Sequence, residues 1–141
     1  MNILNGIIRE VITSDHLSLV RVDIDTSLLS AIVIDTPESC DYLKKGHAVQ
    51  VIFKETEVVI GKGADHKNIS LRNKLTGTIG SIEKGDLLSK ISMITNVGPV
   101  VSIITTASVE QLNLAKGDVV TGMIKTNEVM LSSINTKTES A

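Results

Sequence analysis

Ser70, Arg72, Thr105, Ser108, Lys125 and Thr126 are the residues of this chain whose types could do chemistry together. All of them donate hydrogen bonds: two carry fixed positive charge at neutral pH, four carry hydroxyls, and none is a carboxylate. Such a set suits a multiply charged oxyanion, which offers only acceptors and gains most from charge-assisted hydrogen bonds. Thr105, Thr106 and Ser108 also stand where a short helix is expected to begin, and free backbone N–H groups at a helix entrance favour an anion. Taken singly, each residue has an ordinary role. Hydroxyls cap helices, a linker arginine is solvated, and a lysine at a strand end discourages edge pairing.

The case for a site comes from an internal control. The chain overlays on itself without a gap when residues 5–60 are moved along by 71 positions. Gly6 lands on Gly77, Ile8 on Ile79, Ser18 on Ser89, Leu43 on Leu114, Lys45-Gly46 on Lys116-Gly117 and Glu57-Val58 on Glu128-Val129. Self-similarity of this kind marks one folding unit used twice, so a polar cluster found in only one copy needs a reason beyond folding. At the positions of Thr105, Thr106 and Ser108 the first copy has Ile34, Asp35 and Pro37, with Glu38 next. Proline deletes a donor, and the carboxylates repel an anion. Arg72 and Asn73 fall on Met1 and Asn2, Ser70 has no counterpart, and Lys125-Thr126 falls on Lys54-Glu55. The differences run in one direction: the second copy gathers anion donors and the first discards them.

The elements that must position these residues are short strands. Ile7–Thr13 and Leu17–Ile24 alternate with period two around a Ser14-Asp15-His16 turn, followed by Leu28–Ile34, Ala48–Phe53 and a short final strand at Glu57–Ile60. The second copy repeats this with Thr78–Ile82, Leu87–Ile94, Val100–Ile104, Val119–Ile124 and Glu128–Leu131. Five short antiparallel strands in about 60 residues predict an all-β chain of two tandem OB-like Greek-key barrels. One short helix is expected in each copy. The first is Pro37–Leu43, with Thr36 as N-cap; the second is Val109–Leu114, with Ser108 and Gln111 as a capping box. The expected organisation is a first repeat at 1–60 serving as scaffold, a linker at 61–68, an anion-binding repeat at 69–132 and a disordered tail at 133–141.

Composition narrows the function classes. A net charge of −2 and only two aromatic side chains, Tyr42 and Phe53, disfavour nucleic acid, which calls for a basic surface and stacking rings. Cys40 is alone, so neither a disulfide framework nor a thiolate metal cluster is expected. No signal peptide or span of about 20 apolar residues is present, which points to a cytoplasmic protein with no membrane partner. His16, His47 and His66 are scattered, and Gly61-Lys62-Gly63 lacks the rest of a phosphate loop, so no enzyme is expected. Units of this size bury little core alone, which favours an oligomer.

Four segments carry a family resemblance: Ile69-Ser-Leu-Arg-Asn, Leu75-Thr-Gly-Thr-Ile, Ile104-Thr-Thr-Ala-Ser-Val-Glu-Gln-Leu-Asn-Leu and Ile124-Lys-Thr-Asn-Glu-Val. Together, in this order, they resemble the Mop domain of the molbindins, so the chain is similar to tandem di-Mop proteins. The resemblance implies binding of molybdate, with tungstate as a chemical neighbour, at an interface between Mop units. By position it assigns Ser70, Arg72, Asn73, Lys125 and Thr126 to one face of the site and Thr105 with Ser108 to the other. It also implies a homo-oligomer, with a trimer favoured, and a role in molybdate storage or homeostasis. The alternative is an anion-responsive regulatory module, or an oligomeric scaffold without anion binding.

Overall fold

The computed structural model describes residues 1–134. Ten strands follow one another along the chain: β1 (Asn2–Ser14), β2 (Leu17–Ile24), β3 (Ser27–Val33), β4 (Ala48–Phe53), β5 (Val59–Lys62), β6 (Asn73–Lys84), β7 (Leu88–Thr95), β8 (Gly98–Thr105), β9 (Val119–Ile124) and β10 (Met130–Ser133). Among the described residues the single α-helix, α1 (Thr106–Gln111), follows β8. The strands form two antiparallel five-stranded sheets. Each sheet curls until its end strands meet, β10 with β3 and β5 with β8. The all-β, OB-like architecture is therefore the one the sequence predicts.

Alternation builds each curved sheet. Along β2, Ser18, Val20, Val22 and Ile24 point inward, and 71 positions on Ser89, Ile91, Met93 and Thr95 do the same along β7. The long first strand of each copy serves two partners by bending at a bulge, between Ile8 and Glu10 in one and between Ile79 and Ser81 in the other. A bulge inserts one unpaired residue and increases local twist, which lets a strand turn a barrel corner. Gly6 and Gly77 sit just before that corner. A Cβ on Gly77 would lie 2.2 Å from the Ile94 carbonyl oxygen, and one on Gly6 2.6 Å from that of Asp23. No side chain fits there. Buried side chains of both copies form one contiguous apolar core.

The sheets do not follow the boundary between the copies. The sheet orders are β10-β4-β1-β2-β3 and β5-β9-β6-β7-β8, so the two copies exchange their last strands. β5 pairs with β9 through Val59–Met123 and Ile60–Gly122, and β10 pairs with β4 through Met130–Ile52 and Leu131–Val51. The Glu57–Ile60 strand expected to finish the first copy thus completes the second copy's sheet. A hairpin back onto β4 would need a tight reversal after Phe53, with positive φ at its central residues. Instead Lys54 (φ −73°, ψ 145°) and Val58 (φ −88°, ψ 115°) are extended around a 3-10 turn at Glu55–Glu57, which carries the chain across. Lys125 and Val129 do the same around Thr126–Glu128. Val58 and Val129 are buried where they cross. Each contributes about 1.5–3 kcal/mol of apolar burial to holding the halves together.

Other expectations shift locally. Gly61 and Lys62, assigned to the linker, belong to β5. The connection that follows packs on that strand: a Cβ on Gly61 would lie 2.6 Å from His66 Cε1. Ser132 and Ser133, assigned to second-repeat end and tail, lie in β10, while 135–141 fall outside the described residues. The first-copy helix is absent. Thr36 does cap one turn, its carbonyl accepting from the Ser39 and Cys40 amides at 3.0 and 2.9 Å, but Pro37–Leu43 goes no further than turns. Ser39, Cys40 and Asp41 are poor helix formers, and a helix nucleus needs good ones to propagate. In the second copy the helix begins three residues earlier than expected.

Candidate anion-binding site

The hydroxyl half of the site is set by the turn from β8 into α1. Thr105, not Ser108, is the N-cap: its Oγ1 accepts from the Ser108 amide at 3.1 Å and lies 2.8 Å from Ser108 Oγ. This is ordinary capping geometry, and it takes up a backbone N–H that the sequence reading left free for an anion. Thr106 is removed from the donor set as well. It is buried, with Oγ1 donating to the Gly85 carbonyl at 2.7 Å and lying 2.8 Å from Ser89 Oγ. Thr105 is exposed and Ser108 half-buried. They line an open cleft of about 420 Å³ together with Thr56, Leu88 and Ile104. Thr56 comes from the first copy, brought there by the strand exchange.

The cationic half lies at the end of the β6–β9 ladder. Asn73 pairs with Ile124, so Arg72 and Lys125 are the next residues outward on two adjacent strands. Both are exposed, and neither forms an ion pair among the described residues. Thr126 follows Lys125 into the 3-10 turn and is half-buried. Ser70 is exposed, two residues before Arg72. Two uncompensated cations side by side repel each other and together attract a multivalent anion.

Asn73 has a different task. Its side chain is buried, with Oδ1 accepting from the Ser30 amide and Nδ2 donating to the Ser30 carbonyl, both at 2.8 Å. Asn2 does the same to Val101, again with both bonds at 2.8 Å. Each asparagine imitates a strand neighbour along the edge of the other copy's β3 or β8. Its amide is engaged between the copies, and its assignment to the anion is corrected accordingly.

Within one chain the two halves do not meet. The Thr126–Glu128 turn packs on β3 of the first sheet, whereas the Glu55–Glu57 turn packs on β8. The turn that follows Lys125 therefore lies against β3, the strand after which Ile34 and Pro37 stand in place of the hydroxyl pair. Thr105 and Ser108 share their cleft with Thr56 of the Glu55–Glu57 turn. Among the described residues, no hydrogen bond joins Ser70, Arg72, Lys125 or Thr126 to Thr105 or Ser108. Sequence reasoning missed Thr56 because it cannot see which sheet a crossing turn joins.

Glu55 marks the contrast between the copies. It stands at the position of Thr126 and its Oε1 lies 2.7 Å from the Met1 ammonium, at the position of Arg72. That hydrogen bond, helped by a backbone N–H and by Lys90, holds its carboxyl below the ordinary carboxylate range. The first copy thus sets a carboxylate beside its cation where the second copy has a hydroxyl.

Residues 69–131 match the TOBE domain family. The chain is also 26% identical over 131 residues to the molybdenum-pterin-binding protein MopA of Rhodobacter capsulatus. The chain belongs to the Mop, or molbindin, family. That alignment takes in 89% of the chain but 49% of MopA, so the chain spans about half the length of this relative. Among solved structures, the cytoplasmic molybdate-binding protein ModG, in a crystal form with molybdate bound, superposes with a TM-score of 0.87. The match covers 94% of this chain and 96% of that one at 24% identity, so the fold of the two five-stranded sheets is one already seen. MopII from Clostridium pasteurianum aligns over 47% of the chain and all of its own length, at 31% identity and a TM-score of 0.45. No helix among the described residues is long and apolar enough to cross a membrane. Nor do the described residues bring together three or more His, Cys, Asp or Glu side chains as a metal centre would.

Proposed function

We propose that this chain binds molybdate, with tungstate as its chemical neighbour, and serves molybdate storage or homeostasis in the cytoplasm without catalysing a reaction. The observation that carries the reading is the uncompensated Arg72–Lys125 pair at one ladder end, present in a copy that also presents the Thr105–Ser108 hydroxyls. Molybdate at neutral pH is a tetrahedral dianion that only accepts hydrogen bonds. Arg72 and Lys125 supply charge, Ser70, Thr126, Thr105 and Ser108 supply hydroxyls, and each charge-assisted bond contributes roughly 1.5–3 kcal/mol. The names of the relatives, one molybdate-binding and one molybdenum-pterin-binding, support the same ligand.

The site is completed between chains. One chain offers its cationic half and another its hydroxyl half, in a homo-oligomer for which the family resemblance favours a trimer. Exposed apolar side chains support association: Leu87 is 82%, Ile34 81% and Ile94 62% exposed in the isolated chain. Large apolar groups left in water mark surfaces that another subunit covers. Isothermal titration with molybdate, tungstate and sulfate tests the reading, run with solution mass on the same sample. Heat from molybdate with micromolar or tighter affinity in an oligomer is the expected result. No heat from either metal oxyanion would leave the chain a scaffold.

A further inference from the structure

The strand exchange brings a turn of the first copy against the hydroxyl half of the proposed site. Thr105 and Ser108 share their cleft with Thr56, and the Glu55–Glu57 turn that carries Thr56 packs on β8, so this first-copy turn lies beside the hydroxyl pair that the proposed site requires. By position Lys54-Glu55-Thr56 equals Lys125-Thr126-Asn127, and the lysine is kept. The contact already holds three hydroxyls, those of Thr56, Thr105 and Ser108. It differs from the second copy's donor set at Arg72 and Ser70, which have no like residue in the first copy, and in carrying a carboxylate at 55 in place of the hydroxyl at 126.

We infer that Glu55 is the specificity-determining residue that closes the contact between the two copies to oxyanions. The inference rests on the molybdate reading above. Its carboxylate sits 2.7 Å from the Met1 ammonium and so occupies a cation with a built-in anion. Lys90, on β7 of the other copy, adds to the positive surroundings that Glu55 neutralises, although it also lies 3.7 Å from Glu83. An incoming dianion meets a negative charge on the same turn that carries Thr56 into the cleft, and like charges at short range oppose binding. Glu57 does not explain the difference, because the second copy has Glu128 at the same position.

The test is equilibrium dialysis of the full chain against sodium molybdate at low salt, reading the initial slope of the isotherm, the number of sites divided by Kd. Glu55→Thr, which installs the second copy's residue, is expected to raise that slope at least threefold over the wild type. Glu55→Gln should give a similar rise, and Glu57→Gln, which removes one charge from the same turn, a smaller one. The reciprocal Thr126→Glu should lower the slope at least tenfold, which keeps the proposal open to test if Glu55→Thr folds poorly. Wild-type binding with the same slope in Glu55→Thr and Glu55→Gln, or an unchanged slope in Thr126→Glu, overturns the role of Glu55 while leaving molybdate binding intact. Failure of the wild type to bind contradicts the molybdate reading; a Glu55→Thr chain that then binds still supports the gate, and one that does not overturns it too.

Discussion

Replacing Asn73 with alanine removes two hydrogen bonds between the copies, from the Ser30 amide to Oδ1 and from Nδ2 to the Ser30 carbonyl, each 2.8 Å long. Each bond contributes about 1 kcal/mol, and leaving partly buried backbone groups unpaired adds about 1–3 kcal/mol. Water reaching the edge of β3 recovers part of that second cost. A net loss of about 2–4 kcal/mol is expected, which for a chain of this size lowers Tm by roughly 8–15 °C. Because the amide is buried and engaged, molybdate affinity at a temperature where the variant is folded should fall no more than threefold. Asn2→Ala is the internal comparison: Asn2 makes the same pair of bonds to Val101 away from the Arg72–Lys125 cations, so its stability loss should match. Thermal unfolding followed by far-UV circular dichroism, with titration calorimetry on the folded variants, separates the two roles. Wild-type stability in Asn73→Ala combined with a tenfold loss of affinity would return Asn73 to the anion site and refute this reasoning.

Arg72→Ala and Lys125→Ala should each weaken molybdate binding at least tenfold in the same titrations, with Tm within a few degrees of wild type, since neither side chain has an ion-pair partner among the described residues to lose. Gly77→Ala places a Cβ 2.2 Å from the Ile94 carbonyl oxygen, so it should cost more than about 2 kcal/mol in urea unfolding, far beyond a surface glycine substitution. Glu55 has a folded-state pKa lowered first by its hydrogen bond from the Met1 ammonium, so its contribution is present above the unfolded carboxyl pKa and lost as pH falls through the folded value. Melts from pH 6 to pH 3 should show a shallower acid loss in Glu55→Gln than in wild type. The Tyr42 hydroxyl is pushed above its ordinary pKa by burial and by the neighbouring Cys40, so absorbance titration of this single tyrosine should give a midpoint later than that of free tyrosine.

The repeat was legible because alternation and turn residues are local. The Asp15-His16 turn, the matched glycines 6 and 77 and the inward rows of β2 and β7 follow from side-chain period and backbone sterics alone. Partner choice is not local. Nothing in Val58-Val59-Ile60 says which sheet its ladder joins, and only the extended backbone at Lys54 and Val58 sends it across. The donor set was legible as composition, because one copy could be read against the other. Which donors are free was not: Thr106 and Asn73 read as site residues until their buried hydrogen bonds are seen. The helix start moved for a similar reason, since Thr105 and Ser108 are both good caps and tertiary packing of Thr106 decides between them.

The most direct measurement of the central claim is a crystal structure of this chain grown with molybdate. The account predicts a tetrahedral anion between two chains, touching Arg72 and Lys125 of one and Thr105 and Ser108 of the other. Molybdate bound away from both groups, or held within one chain beside Lys54 and Glu55, would contradict it.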